Sequence, residues 1–147
     1  MVFRLSLEED RKGIFDMIVD HAIPNWPLHL PETNEEKVST KIRQVMDEGV
    51  IYVFETKGEI VGSIGLLEMD FLFSDETFVT DIWFFVKKEN RSYKAARKLL
   101  MFARNYAKML EKPLIMGHIY NENIERKDVL YRRLGLKRIG GFYAEGI

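Results

Sequence analysis

The chain has 147 residues, of which 46% are hydrophobic, 31% charged and 12% aromatic, with no cysteine and a formal net charge of −1. That length suits a single domain spanning residues 1–147, and the composition is that of a soluble globular chain rather than a disordered or fibrous one. Near-neutral charge argues against a general polyanion binder, and the missing cysteines exclude disulfides, thiolate metal sites and a thiol nucleophile.

The opening MVFRLSLEED has no apolar signal-peptide core, and no stretch reaches membrane-spanning length, so a cytoplasmic protein with no membrane partner is expected. VFRL begins the chain as a short strand. In SLEE, Ser6 reads as a helix cap with Glu9 reaching back to it, and Ile14, Met17 and Ile18 mark one face of the helix that follows. A Pro-punctuated loop, IPNWPLHLPE, then carries Trp26 and His29. TNEE, from Thr33 to Glu36, is a second capping box, opening a helix faced by Val38, Ile42, Val45 and Met46 and stopped by Gly49.

The period then changes. VIYVFET and EIVGSIGLLEM, joined by Lys57 and Gly58, form a predicted hairpin, and TFVTDIWFFV adds a third antiparallel strand. The next helix has Ala96, Leu99, Leu100, Ala103, Ala107 and Leu110 on one side. KPLIMGHIY reads as a strand, NIERKDVLYRRL as a helix stopped by Gly135, and KRIGGFYAEGI as a last strand or pair of short strands. The order β-α-α-β-β-β-α-β-α-β predicts an α/β (α+β) fold, with DIWFFV, helix and PLIMGHI forming a parallel crossover.

KKENRSYKAARKLL places Arg91, Lys94, Arg97 and Lys98 where that crossover helix begins. Cations are the wrong charge for the positive end of a helix dipole, unless a polyanion sits among them. Solvated surface charge is the alternative reading.

VKKENRSYKAA resembles the signature V-x-P-x-x-R-G-x-G-x-G/A of the GNAT superfamily of acyl-CoA-dependent N-acyltransferases, with Val86, Arg91 and Ala96 matching in type and spacing. VLYRRLGLKRIGGFY is similar to the family's l-Y-x-r-l-G-F segment through Leu130, Tyr131, Leu134 and Gly135. Lys88 stands for the Pro, and Ser92 and Lys94 for the first two Gly, so positions normally bare carry side chains. This glycine-poor form resembles a variant associated with bacterial and phage members. The resemblance implies a GNAT-like mixed, mostly antiparallel sheet with a central parallel crossover and helices on both faces.

It also implies acetyl-CoA as cofactor. The pantetheine arm would lie along the backbone of Phe84, Phe85 and Val86, and the diphosphate would meet the N–H groups of Arg91, Ser92, Tyr93, Lys94, Ala95 and Ala96, with charge from Arg91 and Arg97. Asn123 stands near a family asparagine. Tyr131 matches the family tyrosine that protonates the departing thiolate; without the motif it is a packed helix tyrosine.

Asp81 is the one carboxylate inside the aromatic strand, and alternation predicts it on one face with Trp83 and Phe85, with a raised pKa suited to a general base. A solvated aspartate at the sheet edge is the alternative. Glu68 is the reserve base, and His118 either faces the cleft or is structural. The acceptor pocket is expected around Trp26, His29, Trp83 and the segment at Phe71 and Phe73, aromatics that serve equally as a lid over the core. His21, His29 and His118 match no metal motif, so no metal site is expected.

The expected activity is acetyl transfer to a primary amine of a small molecule or protein. The competing readings are a nucleic-acid base or modified-nucleotide acyltransferase, and a catalytically silent CoA-binding module. A homodimer is left open.

Overall fold

Four antiparallel strands and one parallel strand lie side by side in chain order: β1 (Val2–Leu5), β2 (Val50–Thr56), β3 (Glu59–Asp70), β4 (Thr77–Val86) and β5 (Leu114–Ile115). The computed structural model describes residues 1–26, 30–117 and 124–146. The β2–β3 hairpin turns at Lys57 (φ 53°) and Gly58 (φ 76°); two successive positive φ values match the twist of the flanking strands.

The two faces of the sheet hold separate cores. α1 (Arg11–Met17) and α2 (Glu35–Glu48) cover one, where Ile14, Met17, Ile42 and Val45 meet Ile51, Val53 and Leu67. α3 (Tyr93–Met109) covers the other, where Leu99 and Ala103 meet Ile64, Leu66 and Val79. α3 presents Ala95, Leu99, Leu100, Ala103 and Ala107 as a buried stripe, one face of a 3.6-residue period.

α4 (Ile124–Arg133) stops at Gly135 (φ +86°), where Gly135 N–H donates to Arg132 O (3.0 Å) and Leu136 N–H to Tyr131 O (3.0 Å). This pair of bonds satisfies the last carbonyls, and the left-handed residue it needs is a glycine. Arg104 Nη1 donates to Leu134 O (2.6 Å) and ties that end to α3.

Three expectations differ. Ser6 does not cap α1: a 3-10 turn, Glu8–Asp10, leads into it, and Asp10 accepts the Leu7 N–H (2.6 Å) while pairing with Arg4 (2.7 Å). A carboxylate satisfies both groups, which one hydroxyl cannot. α2 is capped by Asn34 rather than Thr33, its side chain accepting from Lys37 N–H (3.0 Å). No strand follows α4 among the described residues: 136–146 has neither helix nor strand, and Ile139, Phe142 and Tyr143 are 77%, 79% and 100% exposed. Gly140, Gly141 and Gly146 give that segment little strand preference to set against its apolar residues.

Candidate active site

β4 and β5 are neighbours only briefly. Val79 pairs with Leu114 and Thr80 with Ile115, and there the described ladder ends. At the next residue, Asp81 Oδ1 accepts the Gly117 N–H (2.8 Å), so a side chain closes the fork where the strands part. Burial pushes the Asp81 carboxyl up from 3.8 to about 6, against the opposing pull of the Gly117 N–H and its own N–H.

A bulge lies at this fork. Gly65 pairs with Trp83 but Leu66 with Asp81, leaving Ile82 as the extra residue. Ile82, Trp83 and Phe85 pack with the α1/α2 core and Phe84 with the α3 core, whereas Asp81 stands opposite Leu66 of the α3 core. The expectation that Asp81 shares a face with Trp83 and Phe85 is therefore corrected, because one inserted residue reverses strand alternation. Asp81, Trp83, Phe84, Phe85 and Val86 nevertheless all line one cleft of about 1500 Å³.

Trp83 is fixed from behind. Its Nε1–H donates to the buried Ser63 Oγ (3.1 Å), and its ring lies where a Cβ on Gly65 would come within 2.6 Å. Gly65 inside a strand is the mark of such a close approach. Lys87, buried at the strand exit, donates its N–H to Val61 O (2.8 Å) and pairs its ammonium with Glu59, holding the departing chain to β3.

At the start of α3, Ser92 is the cap and its Oγ accepts Ala95 N–H (3.0 Å). Arg91 N–H donates to Lys88 O (3.3 Å) and Ala96 N–H to Ser92 O (3.1 Å). The expected row of six donors thus narrows: among the described residues, the N–H groups of Ser92, Tyr93 and Lys94 have no protein acceptor. Glycine is not required here, since the described non-glycine residues with positive φ are Lys57 and Glu111, and Ser92 is extended at φ −152°.

The four cations disperse. Arg91 donates Nε–H to Val86 O (2.9 Å), with its guanidinium 5.4 Å from the centre of the Phe85 ring, and lines the cleft. Lys98 reaches the Phe3 ring on the far side at 5.9 Å, while Lys94 and Arg97 are exposed outside the cleft lining. The arginine carrying the motif is thus the one held over β4.

From the remaining elements, α4 brings Leu130 and the half-buried Tyr131 to the cleft, and Trp26 enters from the segment after α1. Glu68 does not line it: its carboxylate accepts the Thr77 hydroxyl (2.8 Å), and after burial, the larger cause, its charge helps raise the Tyr106 phenol. Phe71 packs with Phe73 and Phe78, again outside the lining. His29, His118 and Asn123 lie outside the described residues. Lys37 and Lys41 of α2, and Arg126, Lys127 and Arg133 of α4, line the cleft without having been singled out in the sequence. Their i, i+4 spacing on α2 was the available signal.

The residues fit an acyl-CoA on the chemistry of the donor set: unpaired N–H groups and Arg91 beside a helix end for a diphosphate, and an apolar strand flank leading from them to Asp81. No protein-family model matches the chain, and no curated protein matches it in sequence. Solved structures do match. A GNAT family acetyltransferase from Staphylococcus aureus superposes at a TM-score of 0.64 and 15% identity, covering 99% of this chain and 98% of its own. A predicted acetyltransferase from Clostridium acetobutylicum, solved with acetyl-CoA, gives 0.77 at 10% identity over 99% and 95%. An aminoglycoside 6'-N-acetyltransferase from Acinetobacter haemolyticus gives 0.70 at 12% identity over 100% and 99%. This chain has the GNAT fold. Within that GNAT fold, the fork at Asp81 and the capped start of α3 line one cleft.

Proposed function

We propose that the protein is an acetyl-CoA-dependent N-acetyltransferase acting on a primary amine of a small molecule or protein. The observation that carries this reading is the fork: a carboxyl with a pKa of about 6 stands where β4 and β5 part, in a cleft that also receives Tyr131 and the open amino end of α3. A neighbour solved with acetyl-CoA supports the choice of donor. A reaction drawing on acyl-CoA suits the cytoplasm, the compartment expected from the sequence.

Bound acyl-CoA would supply an acyl thioester, whose C–S bond is exchanged for a C–N bond; starting from an ammonium, nitrogen gives up two protons, one to the base before attack and one that balances the proton reaching sulfur. Asp81, ionised above pH 6, takes the proton from the acceptor ammonium, directly or through water, because only the neutral amine attacks. Tyr131 holds the proton that the departing sulfur requires. Ser92, Tyr93 and Lys94 bind the diphosphate through their N–H groups, and Arg91, pinned to Val86 O and laid against Phe85, adds charge without losing side-chain freedom on binding.

Acetyl-CoA should raise the melting temperature at saturation, whereas a pantetheine fragment without the diphosphate should not. Thiol release with an amine panel then separates a catalyst from a silent CoA binder. Absence of any shift with acetyl-CoA would falsify the reading.

A further inference from the structure

We infer that the acceptor amine also carries an anionic group, such as a phosphate or carboxylate, which the cleft holds on its α2 wall. The inference rests on the acyl-transfer reading and specifies the substrate class of that site. A chain with a net charge of −1 has gathered seven cations and two carboxylates, Asp81 and Glu32, around one cleft.

The gathering comes from sorting on each helix. On α2, Glu35 and Glu36 line a separate shallow groove with Arg11 and Lys12, while Lys37 and Lys41 face the cleft. Lys37 has no carboxylate within ion-pair distance among the described residues, and Lys41 bonds only the neutral Gln44 (2.7 Å). On α4, Asp128 pairs with Arg132 (2.9 Å) outside the lining, whereas Arg126 and Arg133 are part of it.

The diphosphate does not account for the α2 lysines. α2 packs on the sheet face opposite α3, so Lys37 and Lys41 belong to the other wall from Ser92 and Tyr93. The cleft of about 1500 Å³ is larger than the roughly 300–1,000 Å³ usual for one drug-sized ligand, and Lys37 and Lys41 line it together with Asp81. The charge pattern complements a zwitterion: its ammonium turns to Asp81, the carboxylate at the fork, and its anionic end turns to the lysines. A polycation would find two carboxylates, Asp81 and Glu32, among seven cations. Nearby lysines also favour the neutral form of the amine, which is the reactive one.

The test uses the full chain with O-phosphoethanolamine, ethanolamine and spermidine as acceptors, and CoA binding measured separately by calorimetry. The expected result is a kcat/KM at least about tenfold higher for O-phosphoethanolamine than for ethanolamine, a gap that shrinks as salt rises. The double substitution K37E/K41E should reduce that preference by about tenfold or invert it, while the CoA dissociation constant moves less than about twofold. If CoA binds and thiol is released, but ethanolamine or spermidine is the better acceptor, the charge inference fails and the acyl-transfer reading stands. If CoA does not bind, the acyl-transfer reading fails; calorimetric binding of O-phosphoethanolamine over ethanolamine, lost in K37E/K41E, then still decides the charge inference, and equal binding overturns it.

Discussion

α2 and α3 begin in the same way and then diverge in charge. Each opens on an extended residue whose side chain caps an N–H three residues on, Asn34 to Lys37 at 3.0 Å and Ser92 to Ala95 at 3.0 Å. α2 follows its cap with Glu35 and Glu36, which answer the positive end of the dipole from within the chain. α3 has no acid in its first turn; it has Lys94, with Arg91 just before the cap. On the proposed reading, the first start is answered by acids within the chain and the second by the diphosphate of the acyl donor.

The largest test of that contrast lies at the fork. If the start of α3 only holds the donor, chemistry must depend on the fork, so Asp81→Asn should lower kcat/KM by about 10²–10³ while leaving CoA affinity within about twofold. Wild-type kcat/KM should rise with pH through about 6, and the variant should lack that limb. Stability moves in the opposite sense. The folded carboxyl titrates near 6 and the unfolded one near 3.8, so the folded state binds the extra proton between them and wild-type stability falls as pH rises through that window. Asn keeps an acceptor for Gly117 N–H and has no charge to bury. The variant should therefore match wild type near pH 4 and exceed it by about 2 kcal/mol at pH 7, read by chemical denaturation at both pH values. A variant that loses activity and stability together would make Asp81 a structural clasp only.

Tyr131→Phe should follow, with kcat reduced by about 10–100-fold and an unchanged CoA dissociation constant. Single-turnover acetyl transfer at several pH values reads this directly. Full turnover at every pH would remove the phenol from the reaction and leave it as packing on α4.

Much of this was legible locally. The Lys57–Gly58 turn, the Gly135 stop and the apolar stripe of α3 are decided by residues within a few positions of one another, and the structure has them as read, except that the buried stripe begins at Ala95 rather than Ala96 and Leu110 is only half-buried. The start of α1 was misread because its cap reaches beyond the local motif: Asp10 answers Leu7 and Arg4 together, and Arg4 sits on β1. The bulge at Ile82 was not legible at all, since it exists only in the pairing of β4 with β3; with it went the face of Asp81. The motif arginine was found by resemblance, but nothing in KKENRSYK announces that Arg91 folds back onto Val86 O while Lys98 turns toward Phe3. Side-chain destinations of long cations depend on which rings and carbonyls the fold places beside them. The missing glycines matter less than their absence suggested, because Ser92 and Lys94 occupy ordinary backbone conformations.

A smaller effect sharpens the contrast at the backbone itself. Tyr93→Pro removes one of the unpaired N–H groups at the first helical position, where proline suits a helix and where the preceding Ser92 is already extended, as a residue before proline must be. The helix should persist, and CoA should bind about tenfold more weakly than to Tyr93→Ala, which controls for the lost ring. Calorimetry on the two variants measures the difference, and equal affinities would take that N–H out of the binding site.

The smallest effect addresses the two caps directly. Ser92→Ala and Asn34→Ala should each cost about 1 kcal/mol without ligand, because each leaves one helical N–H without its acceptor. Saturating CoA should then separate them. At α3 the freed Ala95 N–H joins those of Ser92, Tyr93 and Lys94 beside the bound diphosphate, so an anion can take over from the lost hydroxyl and the cost of Ser92→Ala should shrink toward zero. At α2 the freed Lys37 N–H gains nothing from a ligand held by α3 on the opposite sheet face, and the cost of Asn34→Ala should stay near 1 kcal/mol. Denaturant melts of both variants with and without CoA read the difference of differences. Equal ligand rescue at both helices would mean that the start of α3 is not where the anion sits, whatever its charge implies.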